Sequence, residues 1–136
     1  ALDIAAETAE EPLSFDGITE LQSLKTGALI TWAATAGAAM ADADSKPLHT
    51  YAEALGLAFQ ITDDILDVTG DEAETGKRVG KDIDAGKATF VSHLGLEGAQ
   101  ARAVELRQIA TDALEPYGAK ADLLRDAARF AIERRF

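Results

Sequence analysis

The segment between Pro47 and Gly70 constrains the fold more than any other part of the chain. Tyr51, Leu55, Ala58, Ile61, Ile65 and Val68 recur along it at three- and four-residue spacing. That is the period of a helix with one buried side. Pro47 suits the first turn, where a missing N–H costs nothing, and Gly70 suits the stop. The spacing predicts a helix over about 47–69. Upstream, Thr19 and Gln22 make a capping-box start, and Leu21, Leu24, Ala28, Trp32 and Thr35 follow at helical spacing, which predicts a helix over about 19–40. A short helix is expected at 89–95, a longer one at 97–117 and a last one at 119–134. No run alternates apolar and polar residues as a half-buried strand does, and the alanine and leucine content favours helix throughout. The fold class is all-α, with antiparallel neighbours joined by short loops.

Composition narrows what such a bundle can do. At 136 residues, a single domain buries roughly 70% of the surface its unfolded chain exposes. The absence of cysteine excludes a disulfide scaffold, a thiolate metal site and a cysteine nucleophile, and fits a reducing, cytoplasmic setting. A formal charge of −11 argues against nucleic-acid binding, which needs basic surface to neutralise phosphates. An acidic chain can still take up phosphates through divalent cations. No stretch is long and apolar enough to span a membrane; the weakly polar run at 27–41 is mostly alanine and reads as helix packing. Ala1-Leu2-Asp3-Ile4 lacks the basic start of a signal peptide. Residues 1–16 carry Asp3, Glu7, Glu10, Glu11 and Asp16 with no base, as a helix end and a solvated connection at Pro12 would.

The chemistry concentrates in Phe59-Gln60-Ile61-Thr62-Asp63-Asp64-Ile65-Leu66-Asp67. On a helix, Asp63 and Asp67 share a face, Gln60 sits one turn earlier on it, and Asp64 lies beside them. A solvated acidic face is the ordinary explanation for such a run. These acids, however, occupy the last two turns before Gly70, at the negative end of the helix dipole, where carboxylates are disfavoured. They need counter-charge. Magnesium, which takes one or two carboxylates together with waters and phosphate oxygens, would provide it. So would Lys77, Arg78, Lys81 and Lys87 in the glycine-rich segment beyond the helix, and Lys25, which with Thr26 interrupts an otherwise apolar helix. A lysine in such surroundings usually snorkels; combined with the aspartates, a magnesium-diphosphate site is the better reading.

Competing motifs fail on spacing. Five residues separate Gly70 from Gly76-Lys77 where a P-loop needs four, and no Ser or Thr follows the lysine. From Asp67 onward, Glu72 stands where an EF-hand needs glycine and Arg78 where it needs glutamate. His49 and His93 have no metal-like partner spacing and read as surface or capping residues. Trp32, Phe59, Phe90 and Tyr117 are expected in the core, with Phe59 the one candidate for a substrate wall.

Four motifs, in this order and at these separations, carry a resemblance: Lys25-Thr26-Gly27-Ala28-Leu29, Gly56-Leu57-Ala58-Phe59-Gln60, Asp63-Asp64-Ile65-Leu66-Asp67 and Gly76-Lys77. Over essentially its whole length the chain resembles the C-terminal half of a trans-isoprenyl diphosphate synthase, most closely the bacterial farnesyl and geranylgeranyl types. The resemblance implies an isoprenoid-synthase helical bundle and a magnesium-dependent prenyltransferase, in which an allylic diphosphate ionises and isopentenyl diphosphate adds through its double bond. Asp63, Asp64 and Asp67 match the second aspartate-rich motif, which holds Mg2+ on the allylic diphosphate, with Asp63 and Asp67 the direct or near-direct ligands. Lys25, Lys77 and Lys87 match lysines that contact that diphosphate. Thr26 and Gln60 match polar residues lining the cationic centre, which makes Lys25, Thr26 and Gln60 the catalytic set. Arg134 and Arg135 resemble a basic tail that helps close the site, or simply suit a helix C-terminus. A homodimer is implied for the full protein.

The chain departs from that pattern by holding one aspartate-rich motif where the family has two, and by lacking the basic residues for isopentenyl diphosphate. Residues 1–136 are therefore read as the C-terminal part of a single domain roughly twice as long, truncated and inactive alone. A terpene cyclase of the same fold and a noncatalytic helical partner subunit stand as alternatives; Lys25-Thr26-Gly27 and the compact Asp63–Asp67 motif disfavour the cyclase.

Overall fold

A computed structural model of the chain describes residues 14–70 and 89–133, and within them the fold is all-α. Its helices are α1 (Phe15–Gln22), α2 (Ala28–Met40), α3 (Lys46–Thr69), α4 (Phe90–Ala113) and α5 (Asp122–Glu133). A π turn, Ser23–Gly27, joins α1 to α2, and a 3-10 segment, Glu115–Ala121, joins α4 to α5. No described helix is long and apolar enough to cross a membrane.

The 47–69 expectation is met by α3 almost to the residue. Its stripe forms the centre of the core: Tyr51, Ala58 and Ile61 are buried, and Leu55 and Ile65 pack against them. From α4 come Phe90, Ala99, Ala103, Leu106 and Ala110. Alanine at so many facing positions lets the two helix backbones approach closely. The larger side chains, Ile61 and Phe90 among them, each contribute about 1.5–3 kcal/mol by leaving water. Tyr51 is buried as well, and its hydroxyl donates to the Leu124 carbonyl at 2.9 Å, tying α3 to α5. Burial pushes that hydroxyl's pKa up from 10.0.

The two helices expected at 89–95 and 97–117 are both present within the span named α4: Gly95, at φ 71°, is non-helical and breaks the span near its start, so a short first segment precedes the long one, which ends at Ala113. The helix begins as expected: Thr89 accepts from the Ser92 N–H, and Ser92 reciprocates to the Thr89 N–H. At its far end, Arg125 donates to the carbonyl of Leu114, the C-cap, which also accepts from the Tyr117 N–H, and to that of Gly118 in the 3-10 segment.

The first helix departs most from expectation. It starts at Phe15, with Ser14 as its cap accepting from the Gly17 N–H at 3.2 Å, not at Thr19. Thr19 lies inside it and donates back to the Phe15 carbonyl. Then the π turn inserts one residue, closed by the Ala28 N–H on the Ser23 carbonyl, so the inward positions run 18, 22, 27, 30 and 34 with a five-residue step in the middle. Ile18 is buried, and Ile30 and Ala34 pack on the core. An unbroken helix would have turned 25 and 29 inward; the insertion turns them out. Trp32, expected in the core, is 67% exposed for the same reason, and Leu24 is exposed with it. Phe90 is fully buried as expected, and Tyr117 packs partly buried against the core.

Candidate functional site

Two faces of α3 do different work. Along its C-terminal half, Ala58, Ile61 and Ile65 occupy the core side. At about 100° per residue, Gly56, Gln60, Asp63 and Asp67 fall within an arc of about 60° on the other. Gln60 and Asp67 are half-buried and Asp63 is exposed. Thr62, by contrast, is buried and donates to the Ala58 carbonyl at 2.9 Å, which satisfies its hydroxyl inside the core.

Gly56 brings the earlier motif to this face. A methyl group added there would lie 3.3 Å from the Cα of Gly27, so the π turn and α3 cross with their backbones almost in contact. Side chains at either glycine would hold the segments apart. Lys25 and Thr26 immediately precede the crossing, and Gln60 lies one turn beyond it, about 6 Å along α3 at 1.5 Å per residue. Asp63 and Asp67 follow at about 10 and 16 Å. Lys25 is exposed and Thr26 half-buried, an arrangement the π turn creates by rotating Lys25 away from the core.

Asp64 faces elsewhere. Its Oδ2 accepts from the backbone N–H of Phe90, the first residue of α4, at 2.8 Å. This donor has no partner within its own helix, and a carboxylate beside a helix N-terminus is stabilised by about 0.3–1 kcal/mol, more where partly buried. The counter-charge that the acidic cluster needs therefore comes in part from α4. That contact joins residues 26 apart and leaves no local signature in the sequence.

Among the described residues no group of three His, Asp or Glu side chains is arranged to hold a metal ion unaided. Two carboxylates on one exposed face suit magnesium nonetheless, because that ion completes its octahedron with water and phosphate oxygens. Asp63 and Asp67 have the hard oxygen donors, the accessibility and the spacing for this. Lys77, Lys87, Arg78 and Lys81 lie outside the described residues, as do Arg134 and Arg135. His49 pairs with Glu53 on the surface at 3.3 Å, and His93 is exposed. Phe59 is half-buried.

One feature of this side was not legible beforehand. A cavity of about 160 Å³ opens between α1, the π turn and α3, lined by Thr19, Gln22, Ser23, Thr31, Glu53 and Leu57. The Gln22 Oε1 atom is buried without a hydrogen-bond partner. Gln22 reads as a capping residue in sequence, but with the helix starting at Phe15 it falls one turn after buried Ile18 and faces inward.

The polyprenyl synthetase family model matches residues 1–126. Farnesyl diphosphate synthase of Escherichia coli is 44% identical over 119 residues, covering 85% of this chain and 39% of that protein. The farnesyl diphosphate synthase of Haemophilus influenzae is 39% identical over 142 residues, covering 99% of this chain and 46% of its own length. Among solved structures, an FPP/GFPP synthase from Zymomonas mobilis superposes with a TM-score of 0.81 at 42% identity, over 96% of this chain and 42% of that one. The chain thus spans less than half the length of the curated relatives it matches.

Proposed function

Because the chain belongs to the polyprenyl synthetase family, we propose that it is the diphosphate-binding portion of a magnesium-dependent prenyltransferase that condenses an allylic diphosphate with isopentenyl diphosphate. The observation that supports this reading is the Gly27–Gly56 contact, which seats the segment just after Lys25 and Thr26 against the helix that bears Gln60, Asp63 and Asp67.

In the reaction the allylic C–O bond breaks and pyrophosphate leaves with the electron pair. The double bond of isopentenyl diphosphate attacks the allylic carbon, and the product cation loses a proton to form the new double bond. Asp63 and Asp67 would hold Mg2+, which would supply positive charge to the diphosphate leaving group. Lys25, Lys77 and Lys87 donate hydrogen bonds to the same oxygens, where charge grows as the bond breaks. The Thr26 hydroxyl and the Gln60 amide carbonyl turn their oxygens toward the allylic cation, stabilising it without attacking it. No protein nucleophile is required.

The chain carries one aspartate-rich motif, so by itself it is expected to bind diphosphate without turning over. The exposed side of α2, with Leu29 68%, Trp32 67% and Met40 85% exposed, supports a role within a larger assembly. The rest of a domain more than twice this length, or a second copy in a homodimer, would cover it. A cytoplasmic setting accords with the absence of cysteine.

Calorimetric titration of the 136-residue chain with inorganic pyrophosphate tests the assignment. Binding should require Mg2+ and weaken tenfold or more in Asp63→Ala. Magnesium-independent binding, or an Asp63→Ala affinity equal to that of the parent, would refute it, and product formation by the chain alone would refute its expected inactivity.

A further inference from the structure

We propose that Asp64 is a positioning residue that fastens the end of α3 to the start of α4, and so holds in place Asp63 and Asp67, the pair already assigned to the cation under the proposed function. The inference rests on the proposed magnesium-diphosphate reading for the second half of that statement; the first half stands on the contact itself.

Three observations converge on Asp64. Its Oδ2 is bonded at 2.8 Å to the Phe90 N–H, a donor that α4 cannot satisfy internally. The residues on either side of that N–H are anchored: Thr89 is buried and closes a reciprocal cap with Ser92, and Phe90 is wholly buried with its ring edge-on to Phe15, centroids 5.6 Å apart. A carboxylate bound to so fixed a donor is itself fixed. Finally, the triplet does not gather into a three-carboxylate cage, as no metal-holding group of three exists among the described residues. Adjacent helical residues diverge by about 100°, so a side chain held on the α4 side cannot also follow Asp63. Asp63 and Asp67 are about 40° apart and Asp64 about 60° from Asp67, so it is the Phe90 contact, more than the helix period, that sets Asp64 apart from the pair.

The consequence is functional as well as structural. Lateral displacement of α3 against α4 would move Asp63 and Asp67, which have no covalent link to α4 nearer than the intervening segment 71–88. The Asp64–Phe90 bond resists that displacement at the turn where the pair sits. A charged acceptor is not essential for this, since the amide oxygen of asparagine accepts the same hydrogen bond. A metal ligand, by contrast, depends on the charge.

That difference supplies the test. Asp63→Asn, Asp64→Asn and Asp64→Ala chains are compared with the parent by hydrogen exchange at the Phe90 amide and by titration with inorganic pyrophosphate and Mg2+. Asp64→Asn should keep Phe90 protection and weaken pyrophosphate binding by less than threefold, where Asp63→Asn weakens it tenfold or more. Asp64→Ala should speed Phe90 exchange at least tenfold, while Asp63→Asn leaves it unchanged. If Asp64→Asn binds as poorly as Asp63→Asn with Phe90 still protected, Asp64 is a ligand and the division of roles is overturned. If Phe90 exchange is unchanged in Asp64→Ala, the tether is overturned. Should the parent bind no magnesium-pyrophosphate, the functional reading fails, and the exchange comparison still decides the tether. Should Asp64→Ala not fold, Asp64→Leu, close in shape and without an acceptor, takes its place in the exchange comparison with the same two outcomes.

Discussion

Replacing glycine by alanine at two helical positions should produce effects of opposite sign, because only one of them lies at the crossing that builds the site. Gly37 and Gly56 both lie in helix interiors, where alanine is favoured over glycine by about 1 kcal/mol. At Gly37 an added Cβ meets nothing within 4 Å, so the whole gain is available and Gly37→Ala should stabilise by about 0.5–1 kcal/mol. At Gly56 the same atom would lie 3.7 Å from the Ile30 Cδ1 and 3.3 Å from the Gly27 Cα. The isoleucine methyl can rotate away. The Gly27 backbone cannot, so the π turn must shift by a few tenths of an ångström. Inserting a methyl group into a filled contact costs about 1–3 kcal/mol, which exceeds or cancels the propensity gain. Gly56→Ala should therefore be neutral to about 2 kcal/mol destabilising. Urea unfolding followed by circular dichroism measures both variants against the parent at constant m-value. The same shift displaces Lys25 and Thr26 relative to Gln60, so the magnesium-dependent pyrophosphate affinity should drop severalfold in Gly56→Ala and stay unchanged in Gly37→Ala. Equal stabilisation by the two substitutions would show that the crossing has slack and does not position Lys25.

Tyr51→Phe removes the hydroxyl bonded to the Leu124 carbonyl and should cost about 1–2 kcal/mol at neutral pH. Since burial raises the folded-state pKa of Tyr51 above 10.0, the folded chain keeps that proton to higher pH than the unfolded chain does. The stability from this group is complete below about pH 10 and falls as the pH rises past it, so urea midpoints from pH 8 to 11 should decline less steeply in the variant. Identical slopes would contradict the buried hydroxyl. Trp32 is the sole tryptophan, so its fluorescence reports directly on the outer side of α2. Emission should be that of a solvated indole, and Trp32→Ser should change stability by less than about 0.5 kcal/mol; blue-shifted emission that persists on dilution would contradict its exposed position.

What the sequence conveys about this fold depends on how local the determining contact is. The α3 stripe was legible because every residue that sets its period lies in the helix itself, bounded by Pro47 and Gly70. The Gly95 break was legible as a break, since glycine marks it. The early end of the second segment at Ala113 was not, because a 3-10 segment containing Pro116 and Gly118 begins there. Thr19 and Gln22 spell a capping box, yet Phe15 and Ile18 before them already pack inward, and the helix starts four residues earlier. Trp32 was misplaced by a period carried unbroken through the π turn, whose single inserted residue turns every later position by about 100°. Gln60, Asp63 and Asp67 could be put on one face from their spacing alone. That Lys25 and Thr26 join them is implied by the resemblance alone, whereas the close approach of two glycines 29 positions apart, Gly27 and Gly56, needed the structure.

The placement of three acids in the last two turns of a helix acquires a reason from these contacts. At the negative end of the α3 dipole each carboxylate is unfavourable by a few tenths of a kcal/mol, and three together repel one another. Had all three turned toward α4, the helix end would be well compensated and would offer nothing to a cation. Had none done so, its full repulsion would act against α3, with only exposed groups and solvent to screen it. Because adjacent residues point about 100° apart, Asp64 can place its carboxylate at the positive N-terminus of α4 while Asp63 and Asp67 stand on another side of α3. Under the proposed function, a cation held there and the diphosphate it brings would offset part of the negative charge of this helix end, which is how so acidic a chain could take a phosphate-bearing ligand.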